Sequence, residues 1–155
     1  RAGIKNVTVP MERLKPDKTI FHPGIIISGA PILLTEVDQE PYLNKFQFLK
    51  DYPNPVLGVC FGHQILGMTF GAQISKCDKS RTDLAVKKRG KSILWEGIED
   101  FSFNEDHCEA ISLPEGWTHL ASSNIKCGYL SSQSPRVLTR YIGIPRVQCV
   151  CSQCH

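Results

Sequence analysis

The chain has 155 residues, of which 41% are hydrophobic and 21% are charged, and its formal net charge is +3. This composition is ordinary for a single globular domain, and the mild charge, without a basic stripe, argues against a nucleic-acid-binding surface. No run approaches the ~20 apolar residues of a membrane span, and no signal peptide is visible. The cysteine count is seven, an odd number that favours a reducing cytoplasm over a disulfide framework.

The first third of the chain alternates short apolar runs with polar segments. We predict a strand over residues 6–9, a loop or short helix over residues 11–18, and a central strand over residues 24–27, where β-branched residues follow one another. Apolar residues recur at helical spacing over residues 38–52 and predict a helix that Pro53 closes. Strands that alternate with helices predict an α/β fold, with a mostly parallel sheet flanked by helices.

Residues 55–70 predict a strand followed directly by a helix. Residues 56–59 form a short apolar run that is typical of a buried parallel strand. Residues 63–70 have helical spacing, and Gly71 predicts the C-terminal stop of that helix. The predicted turn between the two elements therefore holds Cys60.

Cys60 is flanked by glycines in the sequence Gly58-Val59-Cys60-Phe61-Gly62-His63-Gln64. This is the pattern of a nucleophile elbow, in which a strained turn pushes the nucleophile out of the sheet and side chains two residues away would clash. Peptide dipoles at the helix N-terminus favour the thiolate, which is the reactive form of cysteine. The alternative interpretation is a buried structural cysteine, because unoxidised cysteine is among the most buried residue types.

These seven residues resemble the nucleophile motif of the class I glutamine amidotransferases, enzymes that release ammonia from glutamine through a cysteine thioester. The resemblance implies that Cys60 is the nucleophile and that Gln64 binds the substrate. It also implies the α/β fold of the family, which is flavodoxin-like. Compared with the family pattern, the chain lacks the first strand, so we expect the natural protein to be longer.

The sequence Ser28-Gly29-Ala30-Pro31 resembles the Ser-Gly-Gly-Pro loop of the same family, with Ala30 in place of the second glycine. The resemblance implies that the N–H groups of Gly29 and Phe61 form the oxyanion hole. A plain turn between strand and helix is the alternative. His22 lies in a phrase similar to the family's Phe-His-Pro-Glu, but it precedes the wrong strand, so we predict a surface residue.

The segment after the elbow helix predicts further strands. Residues 72–76 predict a strand, residues 77–82 are polar, and residues 84–88 and 92–95 predict a hairpin. Residues 118–123 predict another strand, with His119 as a surface residue.

Residues 101–123 resemble a family segment, Ser-His-x-Asp-x-Val followed by Leu-Pro-x-Gly-Phe, which forms a loop at the glutamine pocket. His107 and Glu109 take the places of the His and the Asp, so the resemblance implies that both bind the substrate. The alternative for His107 is a loop histidine that caps a turn. Within the family, this segment is most similar to the glutaminase subunit or domain of GMP synthetases.

Residues 124–155 depart from the family pattern. Residues 146–148 match the start of the family's Gly-Val-Gln-Phe-His-Pro-Glu strand, whose His is the general base, but Val150 stands in the place of that His. The tail carries three cysteines and a histidine that suggest haem or zinc: Cys149, Cys151, Cys154 and His155. Haem attachment needs export, and the four zinc-type ligands are crowded without a second ligand pair. We therefore expect no metal and no cofactor.

The predicted function is that of a single cytoplasmic glutaminase domain over residues 1–155. The chain carries no phosphate-binding loop, so the resemblance implies that ammonia passes to a synthetase subunit or domain. Neither nucleic acid nor a membrane is an expected partner. A γ-glutamyl peptidase that uses the same elbow is one alternative. A catalytically silent relative with a regulatory or structural role is another, and the absence of His-Pro-Glu favours it.

Overall fold

A parallel sheet lies at the centre of the structure, a computed structural model that describes residues 3, 5–19, 21–85, 87–89, 97, 102–122, 129–133 and 148–149. Strand β1 (Ile25–Ile27) pairs with β2 (Val56–Val59), and the other edge of β2 pairs with β8 (Gln148–Cys149). Because Ile27 lies opposite Gly58 and all pairings are parallel, β1 and β2 end at the same edge of the sheet.

The predicted strand at residues 56–59 is confirmed with its bounds, and Val56 is buried. The predicted central position of β1 is wrong for the described strands, where β1 pairs with β2 alone. Ile26 is 73% exposed on that strand. A run of β-branched residues predicts a strand, but it carries no information on how many neighbours the strand has.

Two helices pack beside this sheet. Helix α2 (Glu40–Phe46) begins where the Glu40 N–H donates to the Asp38 side chain, and it continues as a 3₁₀ turn over Gln47–Lys50. The observed helix is thus shorter at both ends than the helix predicted over residues 38–52.

Helix α3 (Phe61–Thr69) begins two residues earlier than predicted. Gly71 ends it as expected, because this glycine adopts a φ of +93° and its N–H donates to the Met68 carbonyl. A residue with a Cβ rarely tolerates that backbone conformation.

The strand predicted at residues 6–9 is wrong. These residues have no regular structure, and Val7 is 73% exposed. β-branched residues favour strands mainly through packing against neighbours, and these side chains are not packed in a core. The next residues form a 3₁₀ turn (Met11–Arg13) and helix α1 (Pro16–Thr19), in agreement with the predicted loop or short helix.

An antiparallel ribbon follows α3. Strand β3 (Ile74–Ala85) pairs with β5 (Ser102–Ile111), and the register shifts between Lys76 and Ser80. The polar stretch at residues 77–82 lies within β3, and its residues 80–82 pair with β5. The segment that carries His107 and Glu109, expected as a loop, is also strand.

A third sheet joins β4 (Lys87–Lys88), β6 (Trp117–Ser122) and β7 (Tyr129–Gln133) in antiparallel order. Strand β6 confirms the strand expected near residues 118–123. The first half of the predicted hairpin includes β4, which pairs with β6, and the hairpin itself stays a prediction. The second half of that hairpin, residues 92–95, lies outside the described residues.

The core lies between α2, α3 and the parallel sheet. Its most buried side chains are almost free of solvent contact: Leu34, Leu49, Tyr52, Ile65 and Leu66. The fold class is α/β, with a parallel sheet and helices against it, as predicted. No helix in the described part of the chain has the length and apolarity to cross a membrane.

Candidate active site

Cys60 stands on a strained turn between β2 and α3. Its backbone angles are φ 55° and ψ −118°, and it is the one residue other than glycine with positive φ in the described part of the chain. Such a conformation costs about 1–3 kcal/mol and persists only where the surroundings enforce it. The strained elbow that the sequence predicts is therefore present in the structure.

Two glycines enforce this turn by leaving no room for a Cβ atom. A Cβ on Gly58 would lie 2.5 Å from the Gly62 carbonyl oxygen and 2.8 Å from the His63 Cα. A Cβ on Gly62 would lie 2.6 Å from the carbonyl carbon of Ile27 on the neighbouring strand. The backbone of the turn thus packs directly against itself and against β1.

The first turn of α3 directs amide groups towards the Cys60 region. The N–H groups of His63 and Gln64 donate to the Cys60 carbonyl at 2.8 Å and 3.1 Å. The N–H groups of Phe61 and Gly62 precede these and have no acceptor within the helix, as at any helix N-terminus. The positive end of the helix dipole therefore lies beside the thiol, where it stabilises negative charge.

The loop after β1 also lies close to the Cys60 side chain. A Cβ on Gly29 would lie 3.3 Å from the Cys60 Cβ and 3.5 Å from its Sγ, so the Gly29 backbone lies directly against this side chain. Phe61 is buried, and its ring meets Tyr42 edge-on at 5.9 Å. The structure thus brings together Gly29, Cys60 and Phe61, the three residues that the sequence predicts for attack and for the oxyanion hole.

A buried carboxylate connects three further segments. Glu109 on β5 is 5% exposed, and its Oε2 accepts a hydrogen bond of 3.1 Å from the Gln64 side chain. Its Oε1 accepts two hydrogen bonds of 2.7 Å each, from the N–H and from the hydroxyl of Thr35. Gln64 and Glu109, both predicted to bind substrate, are therefore in direct contact.

Thr35 is the residue of this network that the sequence did not reveal. It lies 74 residues from Glu109, and no motif marks it. The neighbouring Glu36 pairs with Lys76 at 2.8 Å, and Lys76 is the register partner of Glu109 on the ribbon. The hydrogen bond from Lys76 to Glu36 raises the pKa of Lys76 above its usual value of 10.5.

The histidines are dispersed along the chain. His22 is exposed, as predicted, and His119 is half-buried on β6. His107 lies on β5 opposite Ser80, and its side chain lies outside the description. Gln148–Cys149 lie parallel to β2, next to Gly58 and Val59, in agreement with the strand match at residues 146–148, whereas Val150 and the rest of the tail are outside the described residues. Within the described residues, no cluster of three His, Cys, Asp or Glu side chains is placed to hold a metal ion.

Comparison with known proteins decides the family. The family model described as "Glutamine amidotransferase class-I" matches residues 2–137. The chain belongs to the class I glutamine amidotransferases. The predicted resemblance is confirmed.

Among curated amidotransferases, a subunit of the glutamine-hydrolysing GMP synthase of Archaeoglobus fulgidus is 31% identical over 121 residues, which is 76% of this chain and 60% of that protein. The corresponding subunit of Methanocaldococcus jannaschii is 28% identical over 123 residues, with the same two coverages of 76% and 60%. The chain thus spans about 60% of the length of these relatives.

Solved amidotransferase structures agree on the fold. A crystal structure of a candidate GMP synthase subunit from Thermoplasma acidophilum is 25% identical and superposes with a TM-score of 0.70, over 83% of this chain and 65% of that one. A glutamine amidotransferase from Thermotoga maritima superposes with a TM-score of 0.60 at 18% identity, over 83% of this chain and 56% of that one. The second likeness concerns the fold alone.

Proposed function

We propose that this amidotransferase captures glutamine as a thioester on Cys60 and releases the side-chain nitrogen as ammonia. The observation that carries the proposal is the strained elbow: a cysteine at φ 55° directly before α3, with the Gly29 backbone close to its side chain. A structural cysteine in a core has no need of this conformation, which costs folding free energy.

In the proposed first step, the Cys60 thiolate attacks the side-chain amide carbon of glutamine. The carbonyl oxygen becomes an oxyanion, and the N–H groups of Gly29 and Phe61 donate to it. Removal of one such donor from comparable sites costs about 3 kcal/mol of transition-state stabilisation. The carbon–nitrogen bond then breaks as a general acid gives a proton to the leaving nitrogen, and ammonia departs from the thioester.

In the proposed binding mode, Glu109 and Gln64 hold the amino-acid end of the substrate. A buried, ionised carboxylate is the natural partner of an α-ammonium group, and Gln64 already donates to this carboxylate. His107, the other residue implied by the family resemblance, stays a prediction for this pocket.

The second step, hydrolysis of the thioester, needs a general base to activate water. The family provides a histidine at the position that Val150 holds here, and that histidine would also protonate the leaving ammonia. We therefore propose that Cys60 still attacks an electrophile, whereas this chain releases ammonia and hydrolyses the thioester slowly. The loss of a general base slows comparable reactions by about 10²–10⁴-fold.

We further propose that the ammonia passes to a synthetase subunit or domain, as the names of the relatives suggest. The relatives from Archaeoglobus and Methanocaldococcus are each described as one subunit of a glutamine-hydrolysing GMP synthase. The acceptor of the ammonia would then be a precursor of GMP, and the predicted cytoplasmic location fits that role.

The decisive experiment is active-site labelling with the chloroketone analogue of glutamine, followed by mass spectrometry of each cysteine. We expect Cys60 to be labelled and glutamine to protect it, whereas Cys77 and Cys108, which are also thiols in the structure, serve as internal controls. Cys60→Ala should remove the label. Equal labelling of Cys77, or no protection by glutamine, would contradict the proposal.

Turnover is measured separately, as ammonia release from glutamine. We expect a rate far below that of the Archaeoglobus relative measured in parallel, and product formation without added ammonia when a synthetase subunit is present. Protection by γ-glutamyl peptides that matches protection by glutamine would favour the peptidase alternative. Rapid steady-state turnover would show that another residue serves as the base.

A further inference from the structure

A short turn joins the candidate oxyanion loop to the pocket carboxylate. This clamp turn, Leu33 to Glu36, begins four residues after Gly29 and is closed by a hydrogen bond of 3.0 Å from the Glu36 N–H to the Leu33 carbonyl. Leu34 is fully buried in the core, and its carbonyl accepts a hydrogen bond of 2.8 Å from the Gln39 side chain. The clamp turn is therefore fixed to the core and to the start of α2.

Thr35 is the member of the clamp turn that reaches the pocket. Its N–H and its hydroxyl both donate to the same carboxylate oxygen, Oε1 of Glu109, at 2.7 Å each. Hydrogen bonds to an ionised group are stronger than neutral ones, and two of them from one residue fix both the position and the rotation of the carboxylate. The second oxygen, Oε2, is left directed at Gln64.

The clamp turn also contacts the ribbon through Lys76, the other member of the same cross-strand pair. Glu36 pairs with Lys76, and Lys76 lies opposite Glu109 in the register. Both partners of this ion pair are more than half exposed, so solvent screens their attraction and the pair contributes little to stability. The hydrogen bonds of Thr35 are therefore the main connection between the clamp turn and β5.

We propose that Thr35 is a positioning residue of the glutamine pocket, which holds Glu109 in the orientation that receives the α-ammonium group of an amino-acid substrate. This inference rests on the proposed function. A long carboxylate side chain that rotates freely loses conformational entropy when the ligand binds. A side chain that is already held in place does not have this cost on binding. Thr35 thus acts on substrate affinity through Glu109, without contact with the reacting bond.

The test uses Thr35→Val, which keeps the shape and the N–H of the residue but removes the hydroxyl, and Thr35→Ser, which restores it. Labelling of Cys60 by the glutamine chloroketone is measured against reagent concentration, so that half-saturation and maximal rate are separated. We expect Thr35→Val to raise the half-saturating concentration about tenfold, with the maximal rate within about twofold of wild type. Thr35→Ser should return half-saturation to the wild-type value.

Two further measurements separate positioning from a general structural role. Iodoacetamide, which carries no amino-acid group, should label Cys60 at the same rate in wild type and Thr35→Val. In a Glu109→Gln background, Thr35→Val should change half-saturation by less than about twofold, because the charge that it positions is gone. A loss of iodoacetamide reactivity, or an undiminished effect in the Glu109→Gln background, would overturn the proposal.

The outcomes distinguish this inference from the proposed function. If wild type is not labelled by the chloroketone, the proposed function fails. If wild type is labelled and protected by glutamine, but Thr35→Val has the same half-saturation, the role of Thr35 fails alone. If thermal melting shows that Thr35→Val does not fold, Thr35→Ala is measured with the same expected tenfold change.

Discussion

The elbow at Cys60 and the carboxylate at Glu109 belong to one candidate site, but different forces hold them. At the elbow, backbone atoms pack so closely that Gly58 and Gly62 have no space for a Cβ atom. At Glu109, three hydrogen bonds from two distant segments hold a buried charge in place. The elbow end of the site is therefore held by close steric packing of backbone, and the Glu109 end by hydrogen bonds.

This difference predicts how each end responds to substitution. The close backbone packing at the elbow should not tolerate a larger residue, because the backbone segments in contact cannot move apart without displacing a strand. Hydrogen bonds to a side chain can be lost one at a time, and each loss has a moderate cost. Four substitutions test the comparison, from the largest expected effect to the smallest.

Gly62→Ala should have the largest effect on stability. The new methyl group would lie 2.6 Å from the Ile27 carbonyl carbon, so β1 or α3 must move. We expect the free energy of unfolding to fall by at least about 3 kcal/mol, as measured by urea denaturation. Gly116→Ala is the control, since Gly116 has a φ of +76° but open space around it, and there we expect a loss of about 1 kcal/mol. A loss at Gly62 as small as the loss at Gly116 would mean that the neighbouring backbone moves aside at little cost, and that exclusion is not what requires glycine at position 62.

Glu109→Ala should have the next largest effect. It leaves the donors of Thr35 and Gln64 buried without their acceptor, which costs about 1–3 kcal/mol. The matched control is Glu115→Ala, because Glu115 is exposed and its removal should change stability by less than about 0.5 kcal/mol. A loss at position 109 as small as that control would show that water satisfies these donors.

Two substitutions of Cys60 test the strain at the elbow and should differ from each other by less than the effects above. Glycine adopts a φ of 55° without strain, whereas alanine retains the Cβ that causes it. We expect Cys60→Gly to be more stable than Cys60→Ala by about 1 kcal/mol, after allowance for the greater freedom of glycine in the unfolded chain. If Cys60→Ala proves the more stable variant in thermal melts, the elbow is not strained in solution.

Lys76→Gln should have the smallest effect. The ion pair with Glu36 is exposed to solvent, so its removal should leave the melting temperature at neutral pH unchanged within the error of the measurement. The folded pKa of Lys76 lies above its usual 10.5, so what the pair contributes is present below that pH and is lost as pH rises further. A clear drop in melting temperature at neutral pH would show that the ion pair between Lys76 and Glu36 contributes more to stability than its exposure suggests.

The two ends of the site also differ in how far the sequence predicts them. The elbow could be predicted in detail because its cause is local: glycines at fixed spacing around Cys60, after an apolar strand. The family resemblance added Gly29 and Phe61, and the structure places both beside the thiol. Strand β2 was predicted with its bounds for the same local reason.

At the Glu109 end of the site, the sequence predicts which residues belong to the pocket but not the contacts between them. Glu109 and Gln64 were expected in one pocket, but the strand that carries Glu109 was expected as a loop, because the family segment that it resembles forms a loop at the glutamine pocket. Thr35 was missed because nothing near it in the sequence indicates a partner on β5. Hydrogen bonds between distant segments leave no periodic pattern, so sequence reasoning does not find them.

The bond between Thr35 and Glu109 has a consequence for the order in which the protein folds. It closes a loop of 74 residues, and long loops close late because their chain entropy is lost before any contact compensates. The elbow needs only β1, β2 and α3, which are near one another in the chain. During folding, a reactive thiol should therefore form before the pocket that selects its substrate. The protein should discriminate between substrates only once folding is complete.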